Sequence, residues 1–144
     1  ELSRLYLLQV RTLLPSVHVR LAAEARGDKD KAAEAREVSR VVYLYRQGIA
    51  AFPDDVSLKS GLAWFYARQR MNLDEALTMA QEAFAEAPES WEVLDTLAEI
   101  FFVRGQPAKA KEFSERALAA DPENPYLVNQ ANRFREAAAR EDLR

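Results

Sequence analysis

The chain of 144 residues has no cysteine and a single histidine, His18. Without cysteine there can be no disulfide, thiolate metal site or cysteine nucleophile, and one histidine leaves little from which to build a histidine metal site or a catalytic triad. His18 lies between Val17 and Val19, and no motif sets a serine or an acid beside it, so it reads as a packing or surface residue rather than a general base. Glycine is scarce, at four residues, and forms no phosphate-cradling loop. The six prolines fall where apolar helical periods end or begin, which leaves no linker or low-complexity segment. No apolar run approaches the roughly 20 residues that a membrane-spanning helix needs. These absences point away from an enzyme and imply no cofactor.

Charge of one sign is also lacking. The net charge is −3, with nine Lys and Arg against six Asp and Glu in residues 1–52, and eleven against seventeen in residues 53–144. Such a diffuse acidic bias aids solubility. No stripe of Lys and Arg interleaved with aromatics is present to track a phosphate backbone, so nucleic acid is not an expected partner.

What remains is apolar and helical in spacing. Hydrophobic residues make up 49% of the chain and charged ones 30%, enough for one core of useful size, so residues 1–144 are expected to form a single soluble, all-α domain. Glu1 in place of an initiating methionine suggests a piece of a longer protein. Arginine exceeds lysine and alanine is abundant, a composition that hints at a bacterial source and leaves cytoplasm and periplasm both open.

Two stretches repeat one another at an offset of 34 or 35 residues: Leu62-Ala63-x2-Tyr66, Ala76, Ala83 and Pro88, then Leu97-Ala98-x2-Phe101, Ala110, Ala117 and Pro122. In the second copy Trp91, Leu94, Leu97, Ala98 and Phe101 share one helical face that ends at Gly105. Gly105-Gln106-Pro107 breaks and restarts the chain, since glycine tolerates a left-handed turn and proline suits the first turn of a helix. Ala110, Phe113, Ala117 and Leu118 line the next helix, which stops at Asp121-Pro122, and Asn124-Pro125 supplies the cap and first-turn proline of another. Ala98, Ala110 and Ala117 are short enough to let two helices cross closely. In the first copy Asn72-Leu73-Asp74-Glu75 reads as a cap followed by first-turn acids, with one extra residue in the turn around Gln69 to Asn72.

These residues resemble the tetratricopeptide repeat family, with leucine in place of the first-helix tryptophan, alanine in place of the glycine, and the second-helix aromatic one place early at Phe113. The resemblance implies a right-handed superhelical stack of antiparallel helix pairs. Residues 56–90 and 91–124 are the two repeats, and residues 125–140 form a C-terminal capping helix with a narrow apolar face of Tyr126, Leu127, Ala131 and Phe134. Residues 1–55 read as a divergent, long helical hairpin. Its second helix is expected near Asp28 to Phe52, with a face of Val38, Val41, Val42, Tyr45, Ile49 and Phe52 and a close-contact glycine at Gly48. Its first helix would extend back through Leu5, Leu8 and Thr12, where Pro15 would either kink one helix or separate two.

In the resembled family, the first helix of each repeat lines a concave groove. Carried over residue by residue, the groove positions are Ser57, Ser60, Trp64, Ala67 and Arg68, then Glu92, Asp95, Glu99, Phe102 and Val103, with Asn129 and Arg133 in the cap. Two aromatics beside a three-carboxylate stripe would suit a partner peptide or helix that is partly basic and partly apolar. A carboxylate stripe on a helix is more often a solvated face than a binding site, and Trp64 and Phe102 equally fit packing against a neighbouring repeat or the long N-terminal hairpin. All three acids come from one helix with no histidine beside them, so no metal site is expected. Some members of the family grip a partner's C-terminal carboxylate with lysine, asparagine and arginine, where this chain has serine, tryptophan and acids. That ligand is therefore not expected. The function implied is a protein-interaction scaffold. The alternative is self-association, or assembly into a larger protein, through the apolar stretch Leu2, Leu5, Tyr6, Leu8, Val10, Leu13 and Leu14.

Overall fold

The computed structural model describes residues 31–143, together with Arg20. His18, Pro15 and the apolar stretch Leu2 to Leu14 lie outside the described residues, as does the first helix expected to pair with Asp28 to Phe52. The described residues form six α-helices and no strand: α1 (Lys31–Ala51), α2 (Val56–Gln69), α3 (Leu73–Glu86), α4 (Trp91–Val103), α5 (Pro107–Ala120) and α6 (Pro125–Asp142). The fold is an all-α helical repeat. The chain divides into two compact units at Leu58, and each is taken by itself.

In the first unit α1 ends where the sequence indicates, just before Phe52-Pro53. Of its expected apolar face, Val41 is fully buried while Phe52 is exposed. Gly48 is also buried, and a Cβ there would stand 3.2 Å from Leu58 Cδ1, so the position needs a residue without a side chain or a shift of Leu58. Phe52 N–H donates to the Gly48 carbonyl at 2.8 Å, and Asp55 caps the start of α2 by accepting from Leu58 N–H at 3.1 Å.

The second unit is built from two hairpins and a further helix. Its first helices begin under side-chain caps: Ser90 accepts from Val93 N–H and Asn124 from Tyr126 N–H. The second helices do not. Asn72 stands at the cap position of α3, but its backbone is left-handed (φ 48°) and its side chain makes no capping bond, contrary to the sequence expectation. The two hairpin turns show why. In the second copy Gly105 (φ 74°) N–H donates to Phe102 O, and Gln106 N–H donates to Phe101 O while the Gln106 carbonyl also accepts from Ala110 N–H. In the first copy Arg70 (φ 54°) and Met71 take the two donating roles, and Asn72 alone accepts from Ala76. The extra residue therefore splits the work of Gln106 between two residues, and it places two side-chain-bearing residues in the region that glycine prefers.

Ala98, Ala110 and Ala117 are fully buried at the helix crossings. Two apolar clusters surround them. Leu94, Ala117 and Leu127 pack with Phe84, Trp91, Phe113 and Leu118; Ala98, Ala110 and Phe134 pack with Phe101, Phe102 and Phe113. Phe113 stacks on Phe101 at 5.4 Å and meets Phe84 edge-on at 6.0 Å, and the family's usual aromatic place one residue later is a buried Ser114. In α6 the buried apolar residues are Leu127, Ala131, Phe134 and Ala138, whereas Tyr126 is half-exposed.

Candidate functional site

Helix α4 is covered on every side through its middle: Val93 to Ile100 are eight consecutive buried residues. A helix in that position has no solvent face, so its polar residues must find partners within the chain. They do so on the first helices before and after it. The Ser60 and Thr96 hydroxyls lie 2.9 Å apart across α2 and α4, and Thr96 donates on to the Glu92 carbonyl at 2.8 Å. Asp95 accepts from the Tyr126 hydroxyl at 2.7 Å and from the Gln130 amide at 3.3 Å, both on α6.

Glu99 sits at the centre. Arg133 of α6 reaches it with two donors, Nη1 to Oε2 at 2.7 Å and Nη2 to Oε1 at 3.1 Å, and Arg68 of α2 adds Nη1 to Oε1 at 3.3 Å. The carboxylate side chain is 2% exposed, while the Arg68 and Arg133 side chains are 47% and 34% exposed. Each guanidinium also covers an aromatic ring: Arg68 lies 5.7 Å from the Trp64 centroid, and Arg133 lies 4.6 Å from Phe102 and 4.8 Å from Phe134. Phe102 in turn rests on Phe134 at 5.3 Å, which leaves it half-buried.

Burial pushes the Asp95 carboxyl above its ordinary value; the bonds from Tyr126 and Gln130 and the charge of Arg133 act against the rise, and Glu99 adds to it. The Tyr126 hydroxyl is pushed up as well, first by burial and then by the neighbouring Asp95 charge. The raised value of Tyr126 keeps its hydroxyl protonated as the donor to Asp95 Oδ2. Among the described residues no buried side-chain nitrogen or oxygen lacks a hydrogen-bond partner.

The sequence-derived positions fall into two groups. Arg68, Glu92 and Asn129 are exposed, and Trp64, Phe102, Val103 and Arg133 are half-buried, so all of these reach solvent on the first-helix side. Asp95 and Glu99 are buried and engaged, as are Ser60 and Ala67 of the wider set. The stripe of three carboxylates is therefore neither a solvated face nor an acidic surface: only Glu92 is exposed, and it accepts from Ser90 Oγ at 2.8 Å. Periodicity within one helix marks Asp95 and Glu99 as outward, but both directions away from α4 are occupied by α2 and α6. The residues missed were Thr96, Tyr126 and Gln130 as polar partners. The signal that could have found the central cluster is spacing, because Arg68, Glu99 and Arg133 alternate in charge at intervals close to one repeat.

Among the described residues no group of three or more metal-ligating side chains is placed to hold an ion, and no helix is long and apolar enough to cross a membrane. Residues 67–130 match the family model described as tetratricopeptide repeat, the family that the doubled motif resembles. Solved tetratricopeptide repeat domains share the fold. The first such domain of the human RPAP3 protein aligns with a TM-score of 0.65 at 20% identity, over 85% of this chain and 95% of that one. The first domain of Spaghetti (RPAP3), bound to the HSP90 peptide SRMEEVD, aligns at 0.62 and 20%, over 83% and 94%. The second domain of human RPAP3, in complex with the HSP70 peptide SGPTIEEVD, aligns at 0.58 and 18%, over 84% and 98%. No curated protein matches the chain. The bacterial source suggested by composition gains no support, since the similar structures whose source is stated are human.

Proposed function

We propose that this chain is a protein-interaction module that captures an extended or helical segment of a partner protein on the side formed by α2, α4 and α6. The contact residues are Trp64, Arg68, Glu92, Phe102, Val103, Asn129 and Arg133, and Asp95 and Glu99 act beneath them. The observation that carries this reading is that accessible groups on this side are also held in place: Trp64 and Phe102 each lie under an arginine, and both arginines are tied to the same buried carboxylate. Side chains that are already ordered lose little freedom on binding, and half-exposed aromatics beside arginine are the residue types that dominate interface energies. The similar domains that are solved with peptides support a peptide partner. The partner chemistry that fits is chiefly apolar, with Glu92 as the one exposed acid to receive a basic residue.

The test begins by selecting peptides from a displayed random library on the wild-type chain. The Trp64→Ala, Phe102→Ala double variant is expected to bind the selected peptides at least about tenfold more weakly, with its helical circular dichroism unchanged. Peptides that bind the folded double variant as well as the wild type would remove this side of the molecule from the proposal.

A further inference from the structure

We infer that Glu99 is a built-in occupant of a two-arginine site and sets the specificity of the first-helix side by excluding carboxylate groups of a partner. The inference builds on the proposed binding role, but it concerns the arginines themselves. Two guanidinium groups from different helices converge on one point, and both keep a third or more of their side-chain surface in water. Such a pair would ordinarily attract an external carboxylate or phosphate, because guanidinium donors match the two oxygens of such groups. Here that place is filled from within. Glu99 Oε1 accepts from both arginines and Oε2 from Arg133, at distances of 2.7 to 3.3 Å.

The charges close as well. Asp95 lies on the same helix, one turn before Glu99, and interacts electrostatically with both Glu99 and Arg133, so two arginines face two carboxylates. An acidic group arriving from a partner would meet no surplus positive charge, and it would have to compete with a carboxylate that loses no translational freedom on binding. A neutral or apolar group meets no such opposition, and the rings of Trp64 and Phe102 flank the place. Glu99 is therefore a positioning residue that also acts as a filter: it holds the arginines over the rings and removes their appetite for anions.

The experiment follows the arginine side-chain N–H signals by NMR in the 144-residue chain, with succinate as the probe. In the wild type, the Arg133 Nη–H signals should be separately resolved, as a two-point contact requires, and tens of millimolar succinate should not move them. In Glu99→Gln, succinate should shift the Arg68 and Arg133 signals saturably, with affinity at least about tenfold above the wild-type limit. The Arg68→Gln, Glu99→Gln double variant should lose that gain, which a general loosening of structure would not produce. Succinate saturating the wild type as tightly as Glu99→Gln, or a folded Glu99→Gln that gives no response, overturns the inference. Should Glu99→Gln fail to fold, the wild-type titration decides alone: resolved and unmoved Arg133 signals uphold the filter, and averaged or succinate-shifted ones refute it. No partner peptide is involved, so this outcome is separable from that of the library selection.

Discussion

Successive first helices, α2 to α4 and α4 to α6, carry directional contacts beside their apolar ones such as Phe102 on Phe134: Ser60 to Thr96, Arg68 and Arg133 to Glu99, and Tyr126 and Gln130 to Asp95. Between the second helices α3 and α5 the contact is aromatic, Phe84 against Phe113, with the Arg116 guanidinium 5.2 and 5.5 Å from the two rings. Apolar packing contributes stability roughly in proportion to area and tolerates small slides. A buried carboxylate that needs one arginine on each side tolerates far fewer. The contrast teaches that apolar contact, present on both sides of the repeat, supplies adhesion, while the polar contacts confined to the first-helix side supply register. Register is what a binding surface requires, because its side chains come from three separate helices.

Breaking the aromatic side should have the largest effect on stability. Phe113→Ala removes a ring shared by both apolar clusters, and a loss of about 2–4 kcal/mol is expected in thermal or urea unfolding, little changed by salt. Glu99→Ala should cost less, about 1–3 kcal/mol, because the two arginines it releases are already partly exposed and can turn to water. A Glu99→Ala loss that equals or exceeds the Phe113→Ala loss would reverse the assignment of roles.

The turns offer a smaller test that touches neither side. Arg70→Gly should stabilise by about 0.5–1 kcal/mol and Gly105→Ala should destabilise by about 1 kcal/mol, since both positions are left-handed and only the second has its glycine. The smallest effect concerns pH. Burial raises the Asp95 carboxyl above 3.8, its value when free. The folded chain therefore binds this proton more readily than the unfolded chain, and the contribution to stability is complete below about pH 4 and lost as pH rises through the raised folded value. Asp95→Asn carries no such dependence, so its stability relative to wild type should climb from about pH 4 toward neutrality in urea titrations. A difference that is flat with pH would mean that the network around Asp95 does not hold in solution.

The helices and their ends were legible because each rests on a local signal. Apolar spacing marks Trp91 to Phe101, Gly105-Gln106-Pro107 marks a turn, and Asn124-Pro125 marks a start, and the structure places all three accordingly. The small residues at the crossings were equally plain. Asn72 was misleading because an asparagine favours both a cap and a left-handed turn, and only the backbone geometry of the longer turn decides between them. The polar cluster was hidden for a different reason. A pattern of 3.6 residues shows which side of its own helix a residue occupies, and it carries no information on what covers that side. Asp95 and Glu99 alternate with the apolar face of α4 as a solvated stripe would, yet the adjoining helices close over them. Reading Arg68, Glu99 and Arg133 against the repeat length, rather than against the helical turn, recovers the connection.

The claim that directional contacts hold the first helices in register is tested most directly by a double-mutant cycle on Glu99 and Arg133, using Glu99→Gln, Arg133→Gln and the combined variant in urea unfolding. The expected result is a coupling free energy of at least about 1 kcal/mol, with the double variant less destabilised than the sum of the two single ones. Additivity within about 0.3 kcal/mol would contradict it, leaving the aromatic side to hold the repeat without help from Glu99.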